Sequence, residues 1–226
     1  MKYYAIIVAG GSGQRMKRTI PKQFIELNGK PILMHTIERF YTAQSSIELI
    51  VVLPKAHQHT WETLCSKHNF NLPHAICDGG STRFQSVKNG LALCTEESII
   101  GVHDGVRPLL SPDFILNIYK ESELTKALIP VCPVVESIRK VEGDTSKALN
   151  RSNYYTVQTP QCFTSELLHK AYQQEEQNSF TDDASVVEYL GEKVYLFEGE
   201  ENNIKITSPK DLLLAEALLK LATNNI

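Results

Sequence analysis

The sequence predicts an α/β protein whose β-sheet is mostly parallel and is covered by helices on both faces. Short apolar runs, typical of buried strands, alternate along the chain with longer segments whose apolar residues recur at helical spacing. Turn-forming residues follow several of these runs, as at Gly10, Pro54, Gly79 and Gly105. Strands that alternate with helices in this way form parallel sheets joined by crossover connections.

The first half of the chain supplies most of the predicted sheet. Apolar runs predict strands over residues 3–9, 48–53, 75–77 and 98–103, and helical periodicity predicts helices over residues 32–41, 57–68 and 83–93. Another helix is predicted to begin at Ser111-Pro112, because serine is a good N-cap and proline suits the first turn. This order of elements predicts a Rossmann-like sheet.

The alternation changes after a strand predicted over residues 127–131. Extended segments at residues 137–141 and 154–158 flank a polar stretch, which predicts a β-hairpin arm projecting over about residues 133–158. Residues 142–144 are equally compatible with a surface loop. The α/β pattern then resumes, and we predict a single domain spanning residues 1–226. Its last predicted elements are helices over 165–174 and 182–190, strands over 194–198 and 204–206, and a final helix opened by a capping box at 208–211.

The composition is that of an ordinary globular protein, with 42% hydrophobic residues, 22% charged residues and a formal net charge of -3. This balance gives no reason to expect a nucleic-acid partner. The five cysteines are an odd number without a C-x-x-C pair, which argues against a zinc site or a disulfide framework and favours a reducing compartment. The first apolar run is too short for a signal peptide or membrane span, so we expect a cytoplasmic protein without a membrane partner.

Residues 5–16, AIIVAGGSGQRM, lead the first predicted strand into a turn rich in glycine. Such turns bring backbone N–H groups close to phosphate, because glycine removes the side chains that would block the approach. A Walker A loop is excluded, since the chain contains no G-x-x-x-x-G-K-[ST] string. A dinucleotide fingerprint is disfavoured, because Met16 replaces its third glycine and the expected acidic residue is absent around Lys30. A purely structural tight turn remains open.

Basic residues follow the glycine turn. Arg15 comes two residues after its last glycine, and Lys22 follows in the string P-K-Q-F. A cation beside a phosphate-binding turn can neutralise charge that develops on a transferring phosphoryl group. Lys17 and Arg18 lie in the same stretch, although each of these residues alone would more often be a solvated surface charge.

Six sequence blocks occur in an order that resembles the sugar-phosphate nucleotidyltransferases. They are A-G-G-S-G-Q-R-M with P-K-Q-F, Asp78-Gly79-Gly80 with Arg83 and Ser86, residues 102–108 (V-H-D-G-V-R-P, similar to H-D-A-x-R-P), Thr159-Pro160-Gln161, residues 181–185 and residues 203–207. The resemblance covers nearly the whole chain and is closest to the 2-C-methyl-D-erythritol 4-phosphate cytidylyltransferases of the non-mevalonate isoprenoid pathway.

The resemblance implies a reaction in which a sugar-phosphate oxygen attacks the α-phosphorus of CTP and releases pyrophosphate. The product would be 4-diphosphocytidyl-2-C-methyl-D-erythritol. A phosphate monoester is already largely an anion at neutral pH, so it needs no protein base, and the protein must instead align two anions and offset their charge. Magnesium is the expected cofactor, because it bridges phosphate oxygens and needs few protein ligands.

The resemblance also assigns the site residues. The catalytic cations would be Arg15, Lys22 and Lys205, and Asp104 is the candidate metal ligand. For Asp104-Gly105, a plain turn without a binding role remains the alternative. For Ser86, the alternative is a position on the exposed side of a helix. The expected nucleotide-binding residues are Ala9, Gly10, Gly11, Ser12, Gly13, Gly79, Gly80, Arg83, Ser86, Asp104 and Gly105. The expected acceptor-binding residues are Arg107, Glu136, Ser137, Arg151, Thr159 and Thr181.

The arm is expected to complete a neighbour's site in a homodimer with exchanged arms, where Arg151 would clamp the acceptor phosphate. Here the chain departs from the family pattern, because Glu136-Ser137 replaces Asp-Thr and Arg139 replaces lysine. Gly105 likewise replaces a common alanine. A ribitol-5-phosphate cytidylyltransferase is one alternative, because that related family shares most of these blocks. A nucleotide-binding protein without catalysis is another, although the presence of four expected cations, Arg15, Lys22, Arg151 and Lys205, argues against it.

Overall fold

The computed structural model describes residues 1–11, 16 and 20–224. Its strands are β1 (Lys2–Val8), β2 (Glu26–Leu27), β3 (Lys30–Pro31), β4 (Glu48–Leu53), β5 (Ala75–Asp78), β6 (Ser98–Asp104), β7 (Ala127–Pro133), β8 (Arg139–Glu142), β9 (Thr145–Ala148), β10 (Tyr155–Val157), β11 (Gln161–Thr164) and β12 (Tyr195–Glu198). Its α-helices are α1 (Ile32–Ala43), α2 (Lys55–Lys67), α3 (Arg83–Leu91), α4 (Pro112–Thr125), α5 (Ser165–Ala171), α6 (Asp183–Glu188) and α7 (Pro209–Asn224).

The main sheet has eight strands in the order β10-β7-β11-β6-β1-β4-β5, with β12 paired to β7. β1 is parallel to both β6 and β4, and β4 is parallel to β5. β11 is antiparallel to β6 and β7, and β10 is antiparallel to β7. The predicted α/β class with a mostly parallel sheet is therefore confirmed.

Two apolar layers cover the sheet because successive strand residues point to opposite faces. Along β1, Ala5 and Ile7 join a core with α1, α2 and α4, whereas Tyr4 and Ile6 join a core with α3, α5 and α6. On the first face, the buried Tyr119 donates its hydroxyl proton to Tyr4 O at 2.8 Å. Both faces of β1 are therefore dry, which explains why its sequence is a continuous apolar run.

Local capping signals place the two predicted helix starts correctly. Ser111 Oγ accepts a hydrogen bond from Phe114 N at 3.1 Å at the start of α4. At the start of α7, Asp211 Oδ2 accepts from Ser208 N at 2.8 Å and Ser208 Oγ accepts from Asp211 N at 3.4 Å, which forms the capping box. The described helices include none that is long and apolar enough to cross a membrane.

The predicted hairpin is present, but the prediction for its second strand is wrong. β8 pairs with β9 from within the polar stretch, across a turn where Gly143 has a φ of +59°. The predicted partner, residues 154–158, instead contributes β10 to the edge of the main sheet. Every residue of β8 and β9 is exposed. A hairpin without a buried face needs no apolar alternation, so apolar periodicity could not locate it.

The strand predicted over residues 204–206 is also wrong, because this segment has no strand structure. Ile206 N donates one backbone hydrogen bond to Val106 O at 2.9 Å. The side chain of Ile206 is fully buried in a third apolar cluster with Leu212 and Ala215 of α7. The apolar residues of this segment pack against α7. Their alternate spacing is also typical of a strand, which is why the sequence predicts one here.

Candidate active site

The candidate site lies at the carboxyl edge of the parallel strands. The register places Val8, the last residue of β1, beside Asp104, the last residue of β6. The chain continues the pairing one step further, since Gly105 N donates to Val8 O at 2.9 Å and Ala9 N donates to Val52 O at 3.0 Å. The glycine turn and the H-D-G segment therefore begin side by side. Open α/β sheets bind their ligands at this edge.

A cavity of about 250 Å³ opens between these turns. It brings together residues from four distant parts of the sequence. Its lining comprises Val8, Ala9, Gly10, Gly11, Lys22, Gln23, Gly80, Ser81, Thr82, Arg83, Ser86, Asp104, Val106 and Lys205. Most of the predicted nucleotide-binding residues are in this set, together with the predicted cations Lys22 and Lys205. The predicted residues Ser12, Gly13 and Arg15, like Lys17 and Arg18, lie outside the described residues.

A second cavity shows that size alone does not locate the site. It has a volume of about 820 Å³ and is lined by residues of the 28–42 and 68–72 segments. None of the predicted site residues lines it, and the glycine it contains, Gly29, belongs to the tight turn between β2 and β3 and not to the carboxyl edge of the main sheet. The smaller cavity is the better candidate because glycines, cations and strand ends converge there.

Two glycines lie where the backbone closely approaches other groups, and the approach is tighter at Gly80 than at Gly11. A Cβ added to Gly11 would lie 3.1 Å from Lys22 Cε, so the side chain of Lys22 crosses the space that a larger residue would fill. A Cβ added to Gly80 would lie 2.9 Å from the backbone carbon of Gln85. The Gly80 loop could not pack against α3 with a side chain at this position.

The side chain of Gln23 connects the glycine turn to the segment that carries Lys22. The sequence alone does not indicate this contact. Its side chain is 1% exposed, and its Nε2 donates to Ala9 O at 2.7 Å. Because Gln23 directly follows Lys22, this bond fixes the lysine backbone beside the turn. The P-K-Q-F string contained this residue, but only the folded chain shows what its amide contacts.

Ser86 is buried, so the alternative that it lies on an exposed helix face is wrong. Its Oγ accepts a hydrogen bond from Gly80 N at 3.1 Å and donates one to Thr82 O at 2.8 Å. The hydroxyl therefore shapes the loop that borders the cavity. A direct contact between Ser86 and the cytosine base stays a prediction.

Asp104 is the carboxylate of the cavity, and two cations hold it. Its Oδ2 accepts a hydrogen bond from Arg107 Nε at 3.0 Å and lies 3.0 Å from Lys205 Nζ. Burial alone would raise the pKa of Asp104, but the charges of Lys205, Arg107 and Arg83 lower that pKa well below its usual range. With Lys22 and Arg83 also present, the cavity favours an anion although the whole chain is formally negative.

His103 fixes the segment that carries Asp104 by a chain of buried hydrogen bonds, called here the His103 relay. Its Nε2 lies 3.1 Å from Arg107 O, and its Nδ1 lies 3.0 Å from Thr159 Oγ1. Since a carbonyl oxygen only accepts, Nε2 carries the proton and Nδ1 accepts from the Thr159 hydroxyl. Thr159 Oγ1 in turn accepts from Asp104 N at 3.0 Å. His103 is recognisable in the sequence only as part of the H-D-G motif, and nothing in the sequence indicates this relay.

The predicted acceptor-binding residues are less closely gathered. Arg107 reaches the cavity edge through Asp104 and also donates from Nη1 to Asn203 O at 2.8 Å. Thr181 lines a separate cavity of about 220 Å³, which Arg83 also lines. Glu136, Ser137 and Arg151 are exposed on the arm, where Arg151 Nη1 donates to Val135 O, and none of them lines the main cavity of the same chain.

Together, a glycine turn at the sheet edge, several cations and a carboxylate held by two of them define an α/β protein with a site suited to a polyphosphate. The model of the 2-C-methyl-D-erythritol 4-phosphate cytidylyltransferase family matches residues 3–221. The chain belongs to this family, as its motifs predicted, and it is a nucleotidyltransferase.

Individual relatives agree with this assignment. The 2-C-methyl-D-erythritol 4-phosphate cytidylyltransferase of Bacteroides fragilis is 50% identical over 215 residues, which is 95% of this chain and 98% of the relative. That of Phocaeicola vulgatus is 51% identical over 97% of this chain and 100% of its own length. The crystal structure of 4-diphosphocytidyl-2C-methyl-D-erythritol synthase from Anaerococcus prevotii is similar, with a TM-score of 0.82 and 29% identity over 97% of this chain and 96% of that one.

The His103 relay predicts a specific loss of stability in mild acid. Burial lowers the pKa of His103 to about 4, whereas an unfolded histidine has a pKa of about 6.5. The unfolded chain therefore binds more protons between these values, and stability is lost as the pH falls from about 6.5 toward 4. Between pH 7 and 4, the wild type should lose about 2 to 3 kcal/mol more than His103→Gln, which does not titrate.

Urea unfolding of both proteins at several pH values measures this difference. The subtraction is needed because burial also lowers the pKa of His35 and His74, which act in the same direction. Asp104 titrates below this pH range in the folded chain. Parallel stability curves for the two proteins would show that His103 is not held neutral.

Proposed function

We propose that this protein joins CTP to 2-C-methyl-D-erythritol 4-phosphate and releases pyrophosphate. The observation that carries the proposal is the cation-lined cavity beside the glycine turn, where the carboxylate of Asp104 is bound by Arg107 and Lys205. Such a site suits a reaction between two phosphate anions, because its cations offset the repulsion between them. Relatives about half identical in sequence carry the name of this activity.

The chemistry needs alignment and charge stabilisation more than a base. An oxygen of the acceptor phosphate forms a bond to the α-phosphorus of CTP, and the bond from that phosphorus to the bridging oxygen breaks. Pyrophosphate leaves with the electron pair of that bond. The acceptor phosphate is already an anion near neutral pH, and Asp104 would be a poor base because its pKa is so low. The cavity described here is consistent with a step in which the protein moves no proton.

Cations would offset the charge that builds up on the α-phosphate. Lys22 lies against Gly11, where a triphosphate would meet the turn, and Lys205 lies opposite beside Asp104. Arg15 is proposed as a third member of this set on the resemblance alone. Charge stabilisation by such fixed groups is often the largest single contribution to catalysis.

Backbone groups of the two glycine segments would hold the nucleotide. We propose that the turn at Ala9, Gly10, Gly11, Ser12 and Gly13 binds the triphosphate. The segment at Gly79 and Gly80, with Arg83 and Ser86, would face the cytidine, and Asp104-Gly105 would border the ribose. The described members of both segments line or flank one cavity.

We propose that a magnesium ion binds at this site, held in part by the nucleotide itself. The described residues include no cluster of three or more histidine, cysteine or acidic side chains that could bind a metal unaided. Magnesium commonly binds through one or two carboxylates together with substrate phosphates. Asp104 would therefore be its protein ligand, and the ion would supply further charge neutralisation on the phosphates. The predicted cytoplasmic location stays a prediction.

We further propose a homodimer in which the arm completes the partner's acceptor site. Exposed apolar side chains concentrate on the arm and on the neighbouring sheet edge, which fits a surface that another chain covers. They are Val135, Val141, Tyr154, Tyr155, Val157, Tyr195 and Leu196. Glu136, Ser137 and Arg151 would then bind the acceptor across the interface, with Arg107, Thr159 and Thr181 on the other chain.

The decisive experiment measures pyrophosphate release with CTP, UTP, ATP and GTP, each combined with 2-C-methyl-D-erythritol 4-phosphate or ribitol 5-phosphate. We expect turnover with CTP and the first acceptor. Turnover with ribitol 5-phosphate alone would identify ribitol 5-phosphate as the acceptor. The departures from the family pattern at Glu136-Ser137 and Arg139 lie in the arm that is expected to bind the acceptor. No release with any pair would leave a nucleotide-binding protein without this activity.

Lys22→Ala should lower kcat by on the order of 100-fold or more, because the lysine would act on the transition state. Lys120→Ala is the matched control, since Lys120 is exposed on α4 far from the cavity. Steady-state kinetics at saturating CTP measures both variants. An unchanged kcat in Lys22→Ala would remove this residue from the catalytic set.

Mixing two inactive variants tests the exchanged arm. If the arm acts across a dimer, a mixed dimer of Lys22→Ala and Arg151→Ala chains holds one intact site. Equal mixing with subunit exchange should then restore about a quarter of the wild-type activity. Absence of recovery despite proven mixed dimers, or a monomer at micromolar concentration in sedimentation, would refute the shared site.

A further inference from the structure

Arg83 at the cavity wall is held by a carboxylate from a distant part of the chain. Its Nη1 donates to Asp183 Oδ1 at 2.9 Å, and its Nη2 donates to Asp183 Oδ2 at 2.6 Å. Two parallel bonds of this kind fix the plane of a guanidinium as well as its position. Asp183 has no solvent exposure, so the pair is anchored on its acidic side inside the protein.

Asp183 is itself held in place by Tyr172. The Tyr172 hydroxyl donates to Asp183 Oδ1 at 2.5 Å, and its ring stacks on Phe84 with centroids 4.6 Å apart. Phe84 is the residue after Arg83 in α3. One buried tyrosine therefore contacts both the carboxylate and the helix turn that carries the arginine, which leaves the guanidinium little freedom.

The ion pair also keeps Arg83 charged where burial opposes it. Burial would lower the pKa of Arg83, but the attraction of Asp183 raises that pKa above its ordinary value. Arg83 lines the main cavity and also the smaller one that contains Thr181. A guanidinium has more N–H donors than the two that Asp183 uses, so the remaining donors can bind a ligand.

We propose that Asp183 is a positioning residue for the nucleotide site, which fixes the Arg83 guanidinium so that its other donors meet the bound CTP. The inference rests on the proposed function, because it takes the main cavity to bind a nucleotide. It assigns a role to a residue that touches neither cavity directly. A buried ion pair with a purely structural role would affect folding but not nucleotide affinity.

Asp183→Asn tests the inference because it keeps the shape of the side chain but replaces one acceptor oxygen with a donor amide. We expect KM for CTP to rise about tenfold, because a hydrogen bond to a charged group that holds the arginine is lost, with kcat within about threefold of wild type. A lower urea midpoint with unchanged KM would overturn the inference.

A double variant separates an effect through Arg83 from an independent one. Arg83→Gln should raise KM for CTP by itself. If Asp183 acts only through Arg83, adding Asp183→Asn to Arg83→Gln should raise KM no further. Multiplied effects in the double variant would show that Asp183 does not work through the arginine, and would overturn the inference.

Two conservative variants keep the test informative if Asp183→Asn folds poorly. Tyr172→Phe and Tyr119→Phe each remove one buried hydroxyl and one hydrogen bond, but only Tyr172 contacts Asp183. Both should lower the urea midpoint, and only Tyr172→Phe should raise KM for CTP, by about threefold. An equal change in KM for Tyr119→Phe, or none for Tyr172→Phe, would contradict the positioning role.

Calorimetric titration of CTP without any acceptor separates this inference from the proposed function. A wild type that binds CTP but turns over no acceptor would refute the proposed reaction, whereas weaker binding by Asp183→Asn would still support the positioning role. Equal affinities of wild type and Asp183→Asn would refute the positioning role and leave the reaction intact. A wild type that does not bind CTP would refute both.

Discussion

The in-register pairing of β1 with β6 is the constraint on which the rest of the site depends. It brings Val8 and Asp104 to the same edge, so that the glycine turn and the carboxylate begin side by side and line one cavity. Both strands are buried on two faces, and a shift of one residue would move every apolar side chain to the wrong layer. The hydrophobic core therefore fixes the geometry of the polar site at this edge.

Positively charged side chains cluster around that edge, and buried carboxylates form ion pairs with them. Asp104 binds Arg107 and Lys205, and Asp183 binds Arg83. Each acid offsets the cost of placing a cation beside low-dielectric protein and limits its side-chain freedom. The cations are therefore preorganised, which is the condition under which they stabilise developing charge most effectively.

The arm follows different physical rules from the body of the protein. Its strands β8 and β9 have no buried face in the isolated chain, and several apolar side chains beside them are exposed. Its hairpin lies where Gly143 permits the tight turn, within a polar stretch that apolar periodicity does not mark. If the arm packs against another chain, its sequence need not show the apolar alternation of a strand that is buried within its own chain.

The sequence by itself determined the α/β class, the first strands and helices of the sheet, the two helix caps and the presence of a glycine-rich turn after β1, because apolar periodicity, capping and turn residues act between residues close in the chain. It also indicated Lys22, Asp104 and Lys205 through their motifs. It did not reveal that His103 meets Thr159, that Gln23 reaches back to Ala9, or that Asp183 holds Arg83. Those contacts join residues separated by up to 100 positions, and only the packing of the folded chain decides which distant polar groups become neighbours.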